Sequence, residues 1–184
     1  YSLFRDKIAL WGDIQKNFLL HYLKINPDRV LTIGSPRHED FFKKIKSNKT
    51  ISKKTILITP MALSEFNGNI DTNTYLRFEK LLVKIFTILK KIPNTKIIVK
   101  MHPTLSPGNE YIKKLIFNIN SDVKIFQMEP ILDIIESCDM MINITTELFP
   151  STVLYEGLIM NKPVMNIDMM DEKLDLDLFR DEAV

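Results

Sequence analysis

IIVKMHP, residues 97–103, is an apolar run that stops on an imidazole and then a proline. A run without polar alternation fits a strand covered on both faces, the situation of a parallel sheet flanked by helices. Pro103 lacks the N–H that a ladder needs, so the strand must end there and leave His102 at its tip. Three other apolar runs stop on similar punctuation: RVLTIGSP (29–36), TILITP (55–60) and MMINITT (140–146). Each delivers small, hydroxylated or imidazole groups just where a strand ends.

Between these runs lie helical periods. Ile14, Phe18, Leu19, Tyr22 and Leu23 give one stripe after a strand at 7–12, and 36–46 reads as a short helix. The clearest helix is predicted over 72–92, with Phe78, Leu81, Leu82, Ile85, Phe86 and Leu89 on its apolar face. Residues 62–72, containing FNGN, read as a loop. A helix carrying Ile112, Leu115, Ile116 and Ile119 follows the 96–101 strand; then come a strand at 123–127, a short helix at 130–137, a strand at 140–144, a helix near 152–160 and a strand at 163–167. Strands alternating with helices throughout imply right-handed β-α-β units. The expected fold is α/β, a doubly wound, Rossmann-like parallel sheet.

Composition bounds the function. The chain has 184 residues and 45% hydrophobic content, enough for one sizeable core. No run approaches the roughly 20 apolar residues of a membrane span. A single cysteine, Cys138, excludes an internal disulfide framework and a cysteine-based zinc site, and makes a reducing cytosol the default compartment. The first residue is Tyr1 and the last stretch is RDEAV, so a piece of a longer protein is expected. The net charge of +2 hides an asymmetry: residues 168–184 hold seven acids against Lys173 and Arg180, which leaves 1–167 with 23 basic and 16 acidic residues. Such a body suits an anionic ligand or an anionic membrane surface, and equally a lysine-rich solvated surface. The acidic tail reads either as a lid or as a link to a further helix.

In open parallel sheets, ligands bind outside the carboxyl ends of the strands. The residues there are Gly34, Ser35 and Pro36, then Thr59 and Pro60, His102 and Pro103, and Thr145 and Thr146. For His102 two readings stand: a strand cap bonded to a nearby carbonyl, or a contact to an anion, favoured by Lys100 two residues earlier. His21 reads as a surface residue, and His38 after GSPR is open. Ser151 and Thr152 begin a helix after Pro150, and a helix N-terminus with flanking hydroxyls is a ready anion site. Glu156 lies one turn further, spaced to reach a ribose if Ser151 and Thr152 hold a phosphate. The plainer alternative makes Ser151 an N-cap and Glu156 a solvent-facing acid. Neither GxGxxG nor GxxxxGK[ST] occurs.

Taken in order, DKIALWGD, NPDRVLTIGSPRHEDF, ILITP, KIIVKMHP, ILDIIESCDMMIN and STVLYEGLIMNKPV resemble the C-terminal half of a GT-B glycosyltransferase of the surface-polysaccharide kind. In outline the pattern is shared with capsule sialyl- and Kdo-transferases, CDP-glycerol glycerophosphotransferases and UDP-N-acetylglucosamine 2-epimerases. The resemblance implies that residues 1–36 are the tail of an N-terminal Rossmann-like domain and the interdomain passage, with Gly34, Ser35 and Pro36 at that passage. It implies that 50–184 are the nucleotide-sugar-binding domain, without its final crossing helix. By the same likeness His102 and Pro103 contact the nucleotide and its phosphates, Ser151 and Thr152 bind phosphate, and Glu156 binds ribose. Pro60, Thr145 and Thr146 line the same pocket. The implied activity is metal-independent sugar transfer, with no cofactor, from a nucleotide-activated donor to a glycan or lipid-linked acceptor. The general base would lie in the N-terminal domain. No nucleic-acid partner is implied; the location would be cytoplasmic, at the inner face of the membrane. Two departures matter. FPSTVLYEG stands where the epimerases carry GGxxEE, and Glu147 lies nine residues before Glu156, not the eight of a retaining EX7E pair. An inverting transferase is therefore preferred over a retaining one and over an epimerase.

Overall fold

The computed structural model describes residues 6–44, 54–60, 72–145 and 151–169. These fall into two compact units that divide between Lys43 and Lys44. The smaller unit holds β1 (Ile8–Leu10), α1 (Asp13–His21), β2 (Val30–Thr32) and α2 (Glu39–Lys43), with β1 and β2 paired in parallel. The helix expected over 36–46 is a 3-10 turn at Pro36–His38 followed by α2. His38 is a packing residue here. It is buried, its ring meets Trp11 and Phe41 edge-on at 5.2 and 5.6 Å, and burial lowers its pKa, with the Arg37 charge adding to the effect.

The larger unit carries the doubly wound sheet. Its elements are β3 (Lys54–Pro60), α3 (Thr72–Leu89), β4 (Thr95–Lys100), α4 (Pro107–Ile119), β5 (Lys124–Phe126), α5 (Ile131–Glu136), β6 (Met140–Thr145), α6 (Thr152–Ile159) and β7 (Val164–Asp168). All pairings in this sheet are parallel, and the strand order is β5-β4-β3-β6-β7. The chain winds outward from β3 to β5, then returns across β3 to place β6 on its other side. That reversal between β3 and β6 is the topological switch point, where such sheets open a crevice.

Side chains alternate between the two faces. Ile56, Ile58, Ile97, Val99, Met101, Ile142 and Ile144 face α3 and α4, where Phe78, Leu82, Phe86, Ile112 and Ile116 complete the main core. Helix α3 ends at Leu89, short of the predicted 92, because Lys91 and Ile92 close with i→i−3 bonds to Ile88 and Leu89 ahead of Pro93, which has no N–H to continue the helix. The opposite face carries Leu57 and Met141, and α6 lies on Met141 through Gly157. A Cβ at Gly157 would sit 2.5 Å from Met141 Sδ and 3.0 Å from Val164 Cγ2, so glycine is what lets the helix approach. Among the described residues no helix is long and apolar enough to cross a membrane.

Cys138 is buried after α5, and burial pushes its thiol pKa up to about 11 from 9.0. Between those two values the unfolded thiol ionises while the folded one does not, so its contribution to stability falls as pH rises through that window. At pH 8 the thiol is protonated and covered, so a thiolate-directed reagent should modify it only as fast as the domain opens; immediate stoichiometric labelling would contradict this placement. Gly157→Val should overpack the α6–β6 contact and lower stability by about 1–3 kcal/mol, read as a lower urea midpoint at unchanged slope.

Candidate functional site

The tip of β4 is held before any ligand arrives. Lys100 is buried, and its Nζ donates to Met101 O at 3.1 Å and to Gln127 O at 2.5 Å, tying the ends of β4 and β5 together. Burial lowers its pKa, against the charges of Glu129 and Glu156, which favour the ammonium. The loop after it is pinned by side-chain amides. Asn109, fully buried in the first turn of α4, donates from Nδ2 to His102 O (3.0 Å) and Thr104 O (2.5 Å). Gln127 Nε2 donates to the same two oxygens at 3.3 and 3.1 Å. Ser106 N-caps α4 by accepting from the Asn109 N–H, so the start of that helix also fixes the loop.

His102 itself is exposed. Its Nδ1 accepts from the Thr104 N–H at 3.2 Å. A ring nitrogen that accepts carries no hydrogen, so in the neutral ring Nε2 is the donor. The bond to a carbonyl foreseen for a simple strand cap is not what holds the ring.

A polar row, buried on β3 and β6 and exposed at Asn166 of β7, crosses the switch point. Thr59 is paired with Asn143, and Asn143 with Asn166, in the register of β3, β6 and β7. The Thr59 hydroxyl donates to Asn143 Oδ1 at 2.9 Å; Asn143 Nδ2 donates to Thr145 Oγ1 (2.9 Å) and Asn166 Oδ1 (2.7 Å); Thr145 Oγ1 donates to Asn166 Oδ1 at 3.0 Å. Thr59, Asn143 and Thr145 are all under 5% exposed. Lys100 extends the row to β4, since Val99 stands opposite Ile58. Thr59, Asn143, Thr145 and Asn166 give one another the partners that water would otherwise supply, while Lys100 is held by backbone carbonyls.

Helix α6 follows β6 and packs through Gly157 on Met141 of β6 and Val164 of β7. Ser151 is its N-cap, its Oγ accepting from the Val153 N–H at 3.4 Å, which leaves the hydroxyl hydrogen available to a ligand. Thr152 is half-buried. Glu156 is fully buried, so the solvent-facing reading of this acid is corrected: the close seat of Gly157 draws this turn of the helix onto the sheet.

Pro60, His102, Pro103, Thr145, Ser151, Thr152 and Glu156 all belong to the larger unit. They stand at the carboxyl ends of β3, β4 and β6 or on the helix that follows β6. With strands about 4.8 Å apart, the tips of β4 and β6 lie roughly 10 Å apart across β3. Gly34, whose φ of 76° suits glycine, and Ser35 belong to the smaller unit. Thr146, Glu147, the 62–71 part of the predicted loop and the tail beyond 169 lie outside the described residues. Sequence reasoning missed Asn109, Gln127, Asn143 and Asn166. For two of them a signal existed: MMIN and PVMN each place an asparagine at the same depth in an otherwise apolar strand.

No protein-family model and no curated protein sequence matches the chain. Solved structures do. A glycosyltransferase from Rickettsia africae superposes with a TM-score of 0.54 at 19% identity, over 90% of this chain and 45% of that one. S. aureus MnaA, solved with UDP, gives 0.54 at 16% identity over 81% and 39%. Accessory secretory protein 1, 2 and 3 of Streptococcus pneumoniae gives 0.52 at 12% over 88% and 30%. This chain spans less than half the length of each. The likeness shows the fold: an α/β domain of the kind that forms half of a GT-B structure.

Replacing Asn143 by Leu removes the centre of the row and strands the Thr59 hydroxyl. It should destabilise the domain by about 1–3 kcal/mol in urea unfolding, whereas a cost below a few tenths would mean the row contributes nothing.

Proposed function

We propose that this chain is the donor-binding half of a glycosyltransferase that moves a sugar from a nucleotide-activated donor to a surface glycan or lipid-linked acceptor, working on the cytoplasmic side of the membrane. The observation that carries the reading is the convergence of polar, pre-held groups on one edge of the sheet. The His102 tip, the polar row and the start of α6 are contributed by four adjacent strands and the helix between β6 and β7. MnaA, which shares the fold, was solved with UDP, and that supports a nucleotide as the ligand of this edge.

In this reading the His102 Nε2–H, the Ser151 hydroxyl and the amino-terminal end of α6 stabilise the departing phosphate or diphosphate. All are dipolar donors fixed before charge develops, the arrangement that lowers a barrier most effectively. Thr145, Thr146, Thr152, Pro60 and Pro103 shape the pocket. Glu156, at its floor, recognises the ribose. Residues 1–36 with Gly34 and Ser35 belong to the passage from an N-terminal domain, which supplies the acceptor site and the general base. A nucleotide-sugar 2-epimerase of the same fold is the second reading, and the UDP complex of a fold neighbour is compatible with it.

Calorimetry with UDP, CMP and CDP tests the proposal. At least one should bind, and His102→Ala should weaken that binding by about ten-fold or more, as loss of a hydrogen bond to a charged group requires. Melting should stay unchanged, because the ring is exposed. Absence of binding by all three at millimolar ligand, or parental affinity in both His102→Ala and Glu156→Gln, would remove the site. Epimerisation of a UDP-sugar without acceptor would replace the transferase reading by the second.

A further inference from the structure

The helices on the two faces of the larger unit's sheet differ in charge, although Lys44 pairs with Asp133 and Glu136 of α5 and Lys162 donates to the Glu136 and Cys138 carbonyls. Helices α5 and α6 contain Asp133, Glu136 and Glu156 and no Lys or Arg, whereas α3 and α4 contain Arg77, Lys80, Lys84, Lys113 and Lys114 against Glu79 and Glu110. Both acids of the second pair are engaged: Glu79 accepts from the Tyr111 hydroxyl at 3.0 Å, and Glu110 pairs with Lys113 at 2.7 Å. The two helices lie side by side. They touch near their starts through the Tyr75 and Tyr111 rings and near their ends through Lys90 Nζ on Ile119 O at 2.9 Å.

The outward stripe of α3 departs from an ordinary solvated face. Its exposed positions from 73 to 88 are Asn, Leu, Arg, Lys, Val, Lys, Thr and Ile, with no acid among them. Leu76, Val83 and Ile88 are 47%, 42% and 51% exposed, and Phe117 of α4 is 62% exposed. Ile88 and Phe117 each stand two residues before the Lys90–Ile119 contact, hence at the same level of the layer. Lys91 continues the stripe past the end of the helix.

We propose that this α3–α4 face rests on an anionic lipid surface, with Lys80, Lys84 and Lys91 at headgroup level and Val83, Ile88 and Phe117 entering the boundary below it. Basic side chains interleaved with protruding apolar ones are the pattern that binds such a surface, each part reinforcing the other. A nucleic acid is the poorer fit. The cations are mostly lysine, Leu76, Val83 and Ile88 offer neither stacking nor hydrogen bonds, and a convex pair of helices makes no channel for a strand. The face is opposite the one covered by α6, so the inference is independent of the nucleotide reading.

The test is co-sedimentation of the 184-residue chain with phosphatidylcholine vesicles, with and without about one third phosphatidylglycerol. Binding should need the anionic lipid and fall steeply with salt. Lys80→Glu with Lys84→Glu should weaken it by about 30-fold or more, at roughly five-fold for each lysine. Phe117→Ser should weaken it several-fold and leave a remainder wholly sensitive to salt. Lys7→Glu, in the smaller unit, should change nothing, and nucleotide affinity should be the same in every variant. Equal binding to both vesicle types, or full binding by the doubly reversed variant with its melting intact, overturns the proposal. So does a concentration-dependent self-association lost in that variant, which would make a second copy the occupant.

Discussion

The register of β3 against its two neighbours is the constraint on which the rest depends. At the amino end it is set by a reciprocal clamp: the Thr55 N–H donates to the Asp139 carboxylate at 2.7 Å, and the Asp139 N–H to Thr55 O at 2.8 Å. From there Ile56 pairs with Met140, Thr59 with Asn143 and Pro60 with Ile144. A slip of one residue would exchange the two faces of a strand. Thr59 or Asn143 would then enter the layer of Phe78 and Phe86 with no partner for its polar atoms. The same register that closes the apolar core therefore aligns the polar tips, and one cannot be lost without the other.

Along the face under α6 the strands change character with height. Leu57 gives way to Thr59, Ile98 to Lys100, and Met141 to Asn143 and then Thr145. Buried polar groups are tolerable only when each is satisfied, and a network left half-made is worse than an apolar core. Here the hydroxyls and amides close on one another, and Lys100 closes on two backbone carbonyls. The result is a rigid edge whose donors are oriented by the protein, not by a ligand. Gly157 completes it, since any side chain there would lift α6 and with it Ser151 and Glu156.

Most of the fold was legible in the sequence because apolar runs and helical stripes are local signals. The strand at 55–60 and the helix beginning at 72 needed no partner to be recognised. His102 was legible for the same reason, as the residue at which an apolar run meets a proline. Asn109 was not. It looks like an ordinary first-turn residue, and its work, holding the His102 and Thr104 carbonyls, depends on how a loop folds back over the helix. Glu156 was legible as a polar residue one turn into a helix, but its burial was not. That follows from a glycine next to it and a methionine on another strand, neither of which the spacing of acids reveals.

The distribution of charge separates two things that composition joins. A body near +7 invites the idea that an anionic ligand is drawn by lysines, yet the edge proposed for the ligand offers an imidazole, hydroxyls and backbone amides. The buried Lys100 ammonium is already held by carbonyls. In the proposed function, recognition there would rest on oriented dipoles, which discriminate by geometry and are little screened by salt when buried. Free lysines stand instead on the far side of the sheet, over α3 and α4, where the field is long-ranged and unselective. If both proposals hold, binding one small anion at one angle and sitting near many anions at any angle are kept apart. An anionic surface then cannot compete for the groups that orient the ligand, and the winding of the sheet sets those groups on opposite faces.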